Sequence, residues 1–218
     1  MCGRFINLNT SNFLKKKFEI KNNENIEINI SYNISPTQNC SILFNDESSK
    51  VENAIWGLKF IDKKTNLEKN IINSRFETIQ KKLLFKDSYE KRKCVIPVNG
   101  YYEWHNSNNK KTPYFINFYK NHPFFFAGIW KYINFKINTN KFFSIITKKS
   151  NSFLQKIHHR MPVILNLDEA IQYLNDGKSE FLKNNFISQI EENISFFEVS
   201  KFVNNPINNS IECIKKIN

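Results

Sequence analysis

The residue pattern predicts an α+β fold: a single domain over residues 1–218 with a mostly antiparallel, curved or barrel-like sheet flanked by helices. Three observations carry this. The middle of the chain holds apolar runs of strand length, "KCVIPV", "TPYFINFY", "PFFFAGIW" and "FFSIIT", joined by short polar connections. Helix-like patterns lie around these runs. No repeat or linker breaks the sequence.

Taken in order, residues 10–19 (TSNFLKKKFE) fit a short amphipathic helix capped by Thr10 or Ser11, with Phe13, Leu14 and Phe18 inward. "IEINI" (26–30) alternates as a strand does, and "SYNISPTQN" (31–39) has loop chemistry. "CSILF" (40–44) and "NAIWGL" (53–58) fit strands, 61–70 a charged surface loop, and 76–86 a helix. "KCVIPVNGYYEW" (93–104) sets two apolar runs around Asn99-Gly100, the strongest short hairpin signal, because both turn residues must then take positive φ. Strands follow over 112–119, 123–130 and 142–147. Phe124, Phe125 and Phe126 are three in a row and belong to the core. A helix near 151–157, an extended "MPVIL" (161–165) and a helix from 167 to 175 come next, with Asp168 and Glu169 placed to suit the helix dipole. From 178 onward short helices mix with the loop 199–210.

Hydrophobic residues make up 40% of the chain, enough for a core and too many for a disordered segment. The formal charge is +12, which favours polyanionic partners. Part of that charge belongs to a composition crowded with Lys, Asn, Ile and Phe, so the scarce arginines are the more informative. Of Arg4, Arg75, Arg92 and Arg160, three lie in the motifs below. Cys2, Cys40, Cys94 and Cys213 are scattered, with no CxxC pair and no metal-ligand spacing; no metal and no cofactor is expected. The amino terminus lacks an apolar signal region, and no run is long enough to span a membrane. Free thiols and a cytoplasmic location are the expectation.

Four places resist a packing explanation. Cys2 follows Met1, and a small residue there permits removal of the methionine. Cys2 would then carry a thiol and an α-amine on one two-carbon frame; otherwise it is a small buried hydrophobe. Asn73-Ser74-Arg75 is a polar triplet directly after Ile71-Ile72. Glu103 sits among aromatics in "GYYEW": it either faces solvent or points inward, where desolvation would raise its pKa into acid/base range. His158-His159-Arg160-Met161-Pro162 closes a helix and opens a strand, a position where histidine also serves simply to satisfy helix carbonyls.

These stretches together resemble the SOS response-associated peptidase family over nearly the whole chain. "MCGRF", "YNISPTQ", "WGL" (56–58), "INSRFET" (72–78), "KCVIPVNGYYEW" and "HHRMPVIL" (158–165) occur in the family's order, followed by Val199-Ser200 and Val203-Asn204. The resemblance implies an abasic-site sensor. After Met1 is removed, the amine and thiol of Cys2 capture the ring-opened sugar of an abasic site in single-stranded DNA as a thiazolidine. It implies Glu103 as the acid/base, His158 as the residue that helps open the sugar ring, and Asn73 as the residue that orients Cys2 and the lesion. His159 falls on the motif's variable position. Arg4, Arg75 and Arg160 match phosphate clamps, and Asn33, Pro36 and Thr37 match the pocket lining. Two departures stand out. The triplet has Ser74 where Ala is commoner. Phe60 and Ile61 occupy the place of a Trp that stacks on bases, and Phe60 retains an aromatic face there.

The expected partner is thus single-stranded DNA bearing abasic sites, with no membrane association. A monomer that is nucleoid-associated when DNA-bound is expected. Two other readings use the same residues. One is an N-terminal-nucleophile cysteine peptidase acting on proteins. The other is a noncovalent single-strand binder that uses basic charge and aromatic stacking.

Overall fold

Apolar residues two apart along long strands build the centre of the molecule, because alternate side chains of a strand reach the same face. The computed structural model describes residues 2–20, 27–46, 48–62, 64–107, 110–118, 123–135, 138–183 and 186–217. Its strands are β1 (Phe5–Asn7), β2 (Ser31–Ile34), β3 (Asn39–Asp46), β4 (Ser48–Trp56), β5 (Leu58–Asp62), β6 (Leu67–Ile71), β7 (Asn73–Arg75), β8 (Lys93–Val98), β9 (Gly100–Ser107), β10 (Lys110–Phe118), β11 (Phe124–Phe135), β12 (Asn138–Lys149), β13 (Arg160–Pro162), β14 (Ile164–Leu165) and β15 (Ile194–Glu198). The helices are α1 (Ser11–Lys17), α2 (Phe76–Ile79), α3 (Leu83–Lys91) and α4 (Leu167–Asn175), with 3₁₀ turns that include Leu154–Lys156 and Lys201–Asn204.

β12, β4, β3, β8 and β11 pair in that order, and β11 pairs back onto β12, so five strands close a barrel. The pairings are antiparallel except β12 with β4. A second sheet runs β15-β10-β9-β1-β2. Phe124 and Phe126 share a core cluster with Ile42, Trp56, Ile96 and Phe143 of the barrel and with Phe5 and Tyr101 of the second sheet. Phe125 points the other way and packs with Leu14, Phe85 and Tyr173 of the flanking helices. Alternation therefore divides the three phenylalanines between the two faces of one strand, and all three are buried. The predicted α+β class with a barrel-like, mostly antiparallel sheet is the observed one.

Several local expectations differ from the structure. Residues 27–30 form no strand, and Ile30 is half exposed; residue 26 lies outside the described residues. The strand begins one step later, at β2, inside the stretch assigned to a loop. There Ser31 and Asn33 turn inward because their polar side chains find partners. The charged segment 61–70 is largely the β5–β6 hairpin rather than a loop. The helix over 76–86 is two pieces, α2 and α3. The helix near 151–157 is a single 3₁₀ turn, and β15 is a strand within the tail.

Asn99-Gly100 does not close a hairpin. β8 and β9 lie in different sheets, and neither residue has a positive φ. The chain changes sheets here. Asn99 Oδ1 accepts from Leu8 N–H at 2.7 Å, and a Cβ on Gly100 would lie 2.2 Å from Phe115 Cζ. The glycine answers a need for close packing, not for left-handed backbone.

Candidate active site

β1 brings the amino terminus to β9. Phe5 pairs with Tyr101, and Tyr102 N–H donates to Arg4 O at 2.9 Å. Cys2 is fully buried, and its carbonyl oxygen accepts from Asn73 Nδ2 at 2.8 Å. Burial, then the negative charge of Glu103, holds the Cys2 thiol well above its ordinary pKa, so the sulfur is protonated at neutral pH.

Glu103 lies on β9 opposite Tyr114 and is 4% exposed. Of its two possible orientations, the inward one is found. Desolvation pushes its carboxyl up to about 7. Such a group exchanges a proton readily in either direction at cellular pH.

β12 organises the other half of the site. Its C-terminal part pairs in parallel with β7, placing Ile145 opposite Asn73 and Thr147 opposite Arg75. On its other edge it pairs with β13, placing Thr147 opposite Pro162 and Lys149 opposite Arg160. One stretch of strand thus carries both the Asn-Ser-Arg and the Arg-Met-Pro motifs. Ser74 is buried, and its Oγ is 2.8 Å from Ser144 Oγ on β12, which gives the serine of the triplet a polar partner. His158 follows the turn Leu154–Lys156. Its Nδ1 lies 3.0 Å from Arg160 N and 3.1 Å from Arg160 O, so the backbone of Arg160 fixes the ring. Burial holds its pKa below the ordinary value, so the ring is neutral at pH 7. His159 is exposed and stacks on His158 with ring centres 4.4 Å apart.

The three arginines have different surroundings. Arg75 is exposed. Arg160 is buried and forked onto Glu77 at 2.5 and 3.0 Å, with a further bond to Thr147 O at 2.6 Å. Arg4 is buried, donates to Asn33 Oδ1 at 2.7 Å and Val203 O at 2.8 Å, and lies 5.8 Å from the Trp104 ring. Asn33 donates onward to Asn208 O at 2.7 Å and Asn205 O at 3.0 Å, so this pair ties β1 and β2 to the chain beyond residue 200. The Nε–H groups of Arg4 and Arg160 have no hydrogen-bond partner among the described residues.

Pro36 and Thr37 form the turn between β2 and β3. Thr37 takes a φ of +74° and donates its N–H to Trp56 O at 2.9 Å. Phe60 is half-buried on the β5–β6 hairpin opposite Lys69. Glu77 and Thr147, which hold Arg160, had no role in the sequence reading. Their signal was present, Glu77 two residues after Arg75 and Thr147 closing the run "FFSIIT", but it has meaning only once the strands are paired. Among the described residues no three His, Cys, Asp or Glu side chains gather as a metal-ligand set. Among them, too, no helix is long and apolar enough to cross a membrane.

The chain can now be set beside known proteins. A family model described as SOS response associated peptidase (SRAP) matches residues 1–206. The abasic site processing protein YoaM of Bacillus subtilis is 32% identical over 225 residues, covering 98% of this chain and 97% of that protein. The abasic site processing protein HMCES of Pongo abelii is 31% identical over 233 residues, covering 86% of this chain and 65% of that protein. A crystal structure of a Bacteroides thetaiotaomicron protein superposes with a TM-score of 0.78 at 22% identity, covering 99% of this chain and all of that one; at that identity the likeness shows the fold. With a model match over most of its length, and close to full-length relatives, the chain belongs to the SOS response associated peptidase (SRAP) family.

Proposed function

We propose that this protein processes abasic sites in DNA by capturing them covalently in single strands through Cys2. The observation that carries the reading is the seating of Cys2: its carbonyl is clamped by Asn73, and its thiol is buried beside a carboxyl that titrates near 7. The name shared by the relatives YoaM and HMCES supports the substrate class.

Hydrolysis of the Met1–Cys2 bond consumes one water and frees the α-amine. With an ordinary pKa of about 7.7–8.0, part of that amine is neutral at cellular pH. It attacks the aldehyde carbon of the ring-opened sugar. The resulting carbinolamine loses water as Glu103 protonates the departing hydroxyl and takes up the proton from nitrogen, leaving an imine. The Cys2 sulfur then adds to the imine carbon, and the thiol proton passes to the nitrogen. Capture forms one C–N and one C–S bond with net loss of one water, and no oxidant is needed. His158 assists ring opening by proton transfer with the sugar oxygen. Asn73 holds Cys2 from its carbonyl side and leaves amine and thiol free to react.

Arg75 offers an exposed guanidinium to a phosphate. Arg4 adds buried positive charge beneath the strand, Arg160 meets a phosphate by leaving Glu77, and Asn33, Pro36 and Thr37 shape the pocket wall. Phe60 gives a face for base stacking. The protein acts as a monomer in the cytoplasm and joins the nucleoid when bound to DNA.

Intact mass before and after incubation with an oligonucleotide carrying one abasic site tests this. Loss of one methionine, then a gain of the oligonucleotide less one water that Cys2→Ala abolishes, is the expected result. A processed protein that gains no mass rejects covalent capture and leaves a noncovalent strand binder. Turnover of a peptide in trans that depends on Cys2 favours the peptidase reading.

A further inference from the structure

His159 has no task in the chemistry above, although it lies between two residues that do. Neighbouring side chains on an extended chain point to opposite faces. His158 and His159 do not. The backbone bends between the turn Leu154–Lys156 and β13, and the two rings lie face to face, with centres 4.4 Å apart and planes 29° from parallel. The root of His159 is fixed on both sides. Its carbonyl accepts from Ser150 N–H at 3.1 Å, and Arg160 after it pairs with Lys149 of β12. An exposed side chain thus stands on backbone tied to a barrel strand.

How His158 is held shows what this second ring adds. The backbone N–H of His158 donates to Leu154 O at 3.0 Å. The ring meets the backbone of Arg160 along one edge, with Nδ1 3.0 Å from the nitrogen and 3.1 Å from the oxygen. An edge contact sets how a ring turns in its own plane but leaves it able to tilt about that edge. A second ring laid on its face blocks the tilt. The tilt matters, because proton transfer needs heavy atoms about 2.6–3.2 Å apart. A reacting group misplaced by about an ångström loses about 100-fold in rate.

We propose that His159 is a positioning residue of the capture site: its ring backs the face of His158 and, with the Arg160 backbone along the edge, holds the imidazole in the orientation that opening of the abasic sugar needs. The inference rests on the reading of His158 as the residue that helps open the sugar. His159 touches no reacting atom and acts through His158 alone.

The test is single-turnover capture, by the processed chain, of two single-stranded oligonucleotides. One carries an ordinary abasic site, a cyclic sugar that must open first. The other carries an aldehyde on an acyclic linker and has no ring to open. His159→Ala should slow capture of the cyclic sugar about tenfold, a share of the roughly 100-fold or more that a general acid/base contributes. It should capture the acyclic aldehyde at the wild-type rate. His159→Phe restores a flat face and should recover most of the lost rate. In a His158→Ala background His159→Ala should cost nothing further, since residues that act as one unit do not add. Fluorescence anisotropy with a tetrahydrofuran analogue, which cannot open, reads noncovalent affinity, and His159→Ala should leave it unchanged.

The proposal is wrong if His159→Ala captures the cyclic sugar as fast as the wild type, or slows both oligonucleotides alike. Weaker binding of the analogue in step with slower capture would make His159 a strand contact and overturn it as well. So would His159→Phe as slow as His159→Ala, because a flat face would then not be what His158 requires. Failure of the underlying reading looks different. The wild type would capture neither oligonucleotide, or His158→Ala would capture the cyclic sugar at the wild-type rate, and either result takes this inference with it.

Discussion

Asn73 Nδ2 donates a 2.8 Å hydrogen bond to the carbonyl oxygen of Cys2, joining two residues 71 positions apart. The donor sits on a three-residue strand that borrows its rigidity from β12. Asn73→Asp replaces the donor with a carboxylate and sets it against the carbonyl. Capture rate should fall about 100-fold, the penalty of a nucleophile misplaced by about an ångström. Stability should fall by only about 1 kcal/mol, the worth of one hydrogen bond. Single-turnover kinetics beside urea melts separates the two. Equal losses in Asn73→Asp and in an unrelated variant of matched stability would reduce the bond to a structural one.

The pH dependence of stability follows from Glu103. Its folded pKa of about 7 exceeds the ordinary value of 4.5, so the folded state holds the proton more tightly than the unfolded state. That contribution is fully present below about pH 4 and is lost as pH rises through about 7. Its size is on the order of 3 kcal/mol, at 1.36 kcal/mol per pKa unit. Glu103→Gln is neutral throughout, so it should gain on the wild type between pH 4.5 and pH 8. Urea unfolding at both values checks this; parallel profiles would show that the carboxyl is not desolvated.

Glu77 is 40% exposed and holds Arg160, which is 8% exposed. Glu77→Gln should cost on the order of 1 kcal/mol, since the carboxylate is well solvated. Noncovalent affinity for single-stranded DNA should rise several-fold at low salt, because Arg160 no longer has a carboxylate to leave. The gain should shrink as salt increases. Anisotropy titrations at two salt concentrations read it out. An unchanged affinity would place Arg160 outside the DNA interface.

Arg4→Ala removes a buried donor from Asn33 Oδ1 and from Val203 O. Val203 O keeps a 3.3 Å bond from Asn33 Nδ2, so one acceptor, Asn33 Oδ1, is left unpaired and the cost should be about 2 kcal/mol. Amide exchange should quicken over 201–208 while the barrel strands keep their protection. Uniform loss of protection would mean that the tie belongs to the core instead.

Gly100→Ala would set a Cβ 2.2 Å from Phe115 Cζ and 3.1 Å from the Ile116 carbonyl oxygen. Overpacking of this kind costs about 1–3 kcal/mol. A melting temperature within error of the wild type would show that Phe115 swings aside.

The sequence carried the strands best where burial is two-sided. Over 124–130 and 142–147 the apolar runs are long, and both faces of each strand are packed. It carried α4 equally well, since Asn166 and Glu169 form a complete capping box. It misplaced β2 because Ser31 and Asn33 are buried by hydrogen bonds to residues more than 170 positions away, which no local pattern encodes. The Asn99-Gly100 pair misled for the opposite reason: the local signal was strong, and long-range packing overrode it. In the candidate site, Cys2, Asn73, Glu103 and His158 were visible as polar residues out of keeping with their neighbours. Glu77 did not stand out, because an acidic residue at the start of a helix has an ordinary explanation. Its grip on Arg160 exists only after residues 83 positions apart have met.

The bond from Arg4 to Val203 also sets a clock. The two residues are 199 positions apart, and the first is made long before the second. At about 5–20 residues per second, a ribosome needs roughly 10–40 s to cover that distance. Through that interval the amino terminus has been synthesised but the turn that Arg4 grips has not. Any enzyme that trims nascent ends meets it as open chain. The turn Lys201–Asn204 then closes over Arg4, and whatever residue stands in front at that moment is the one held there.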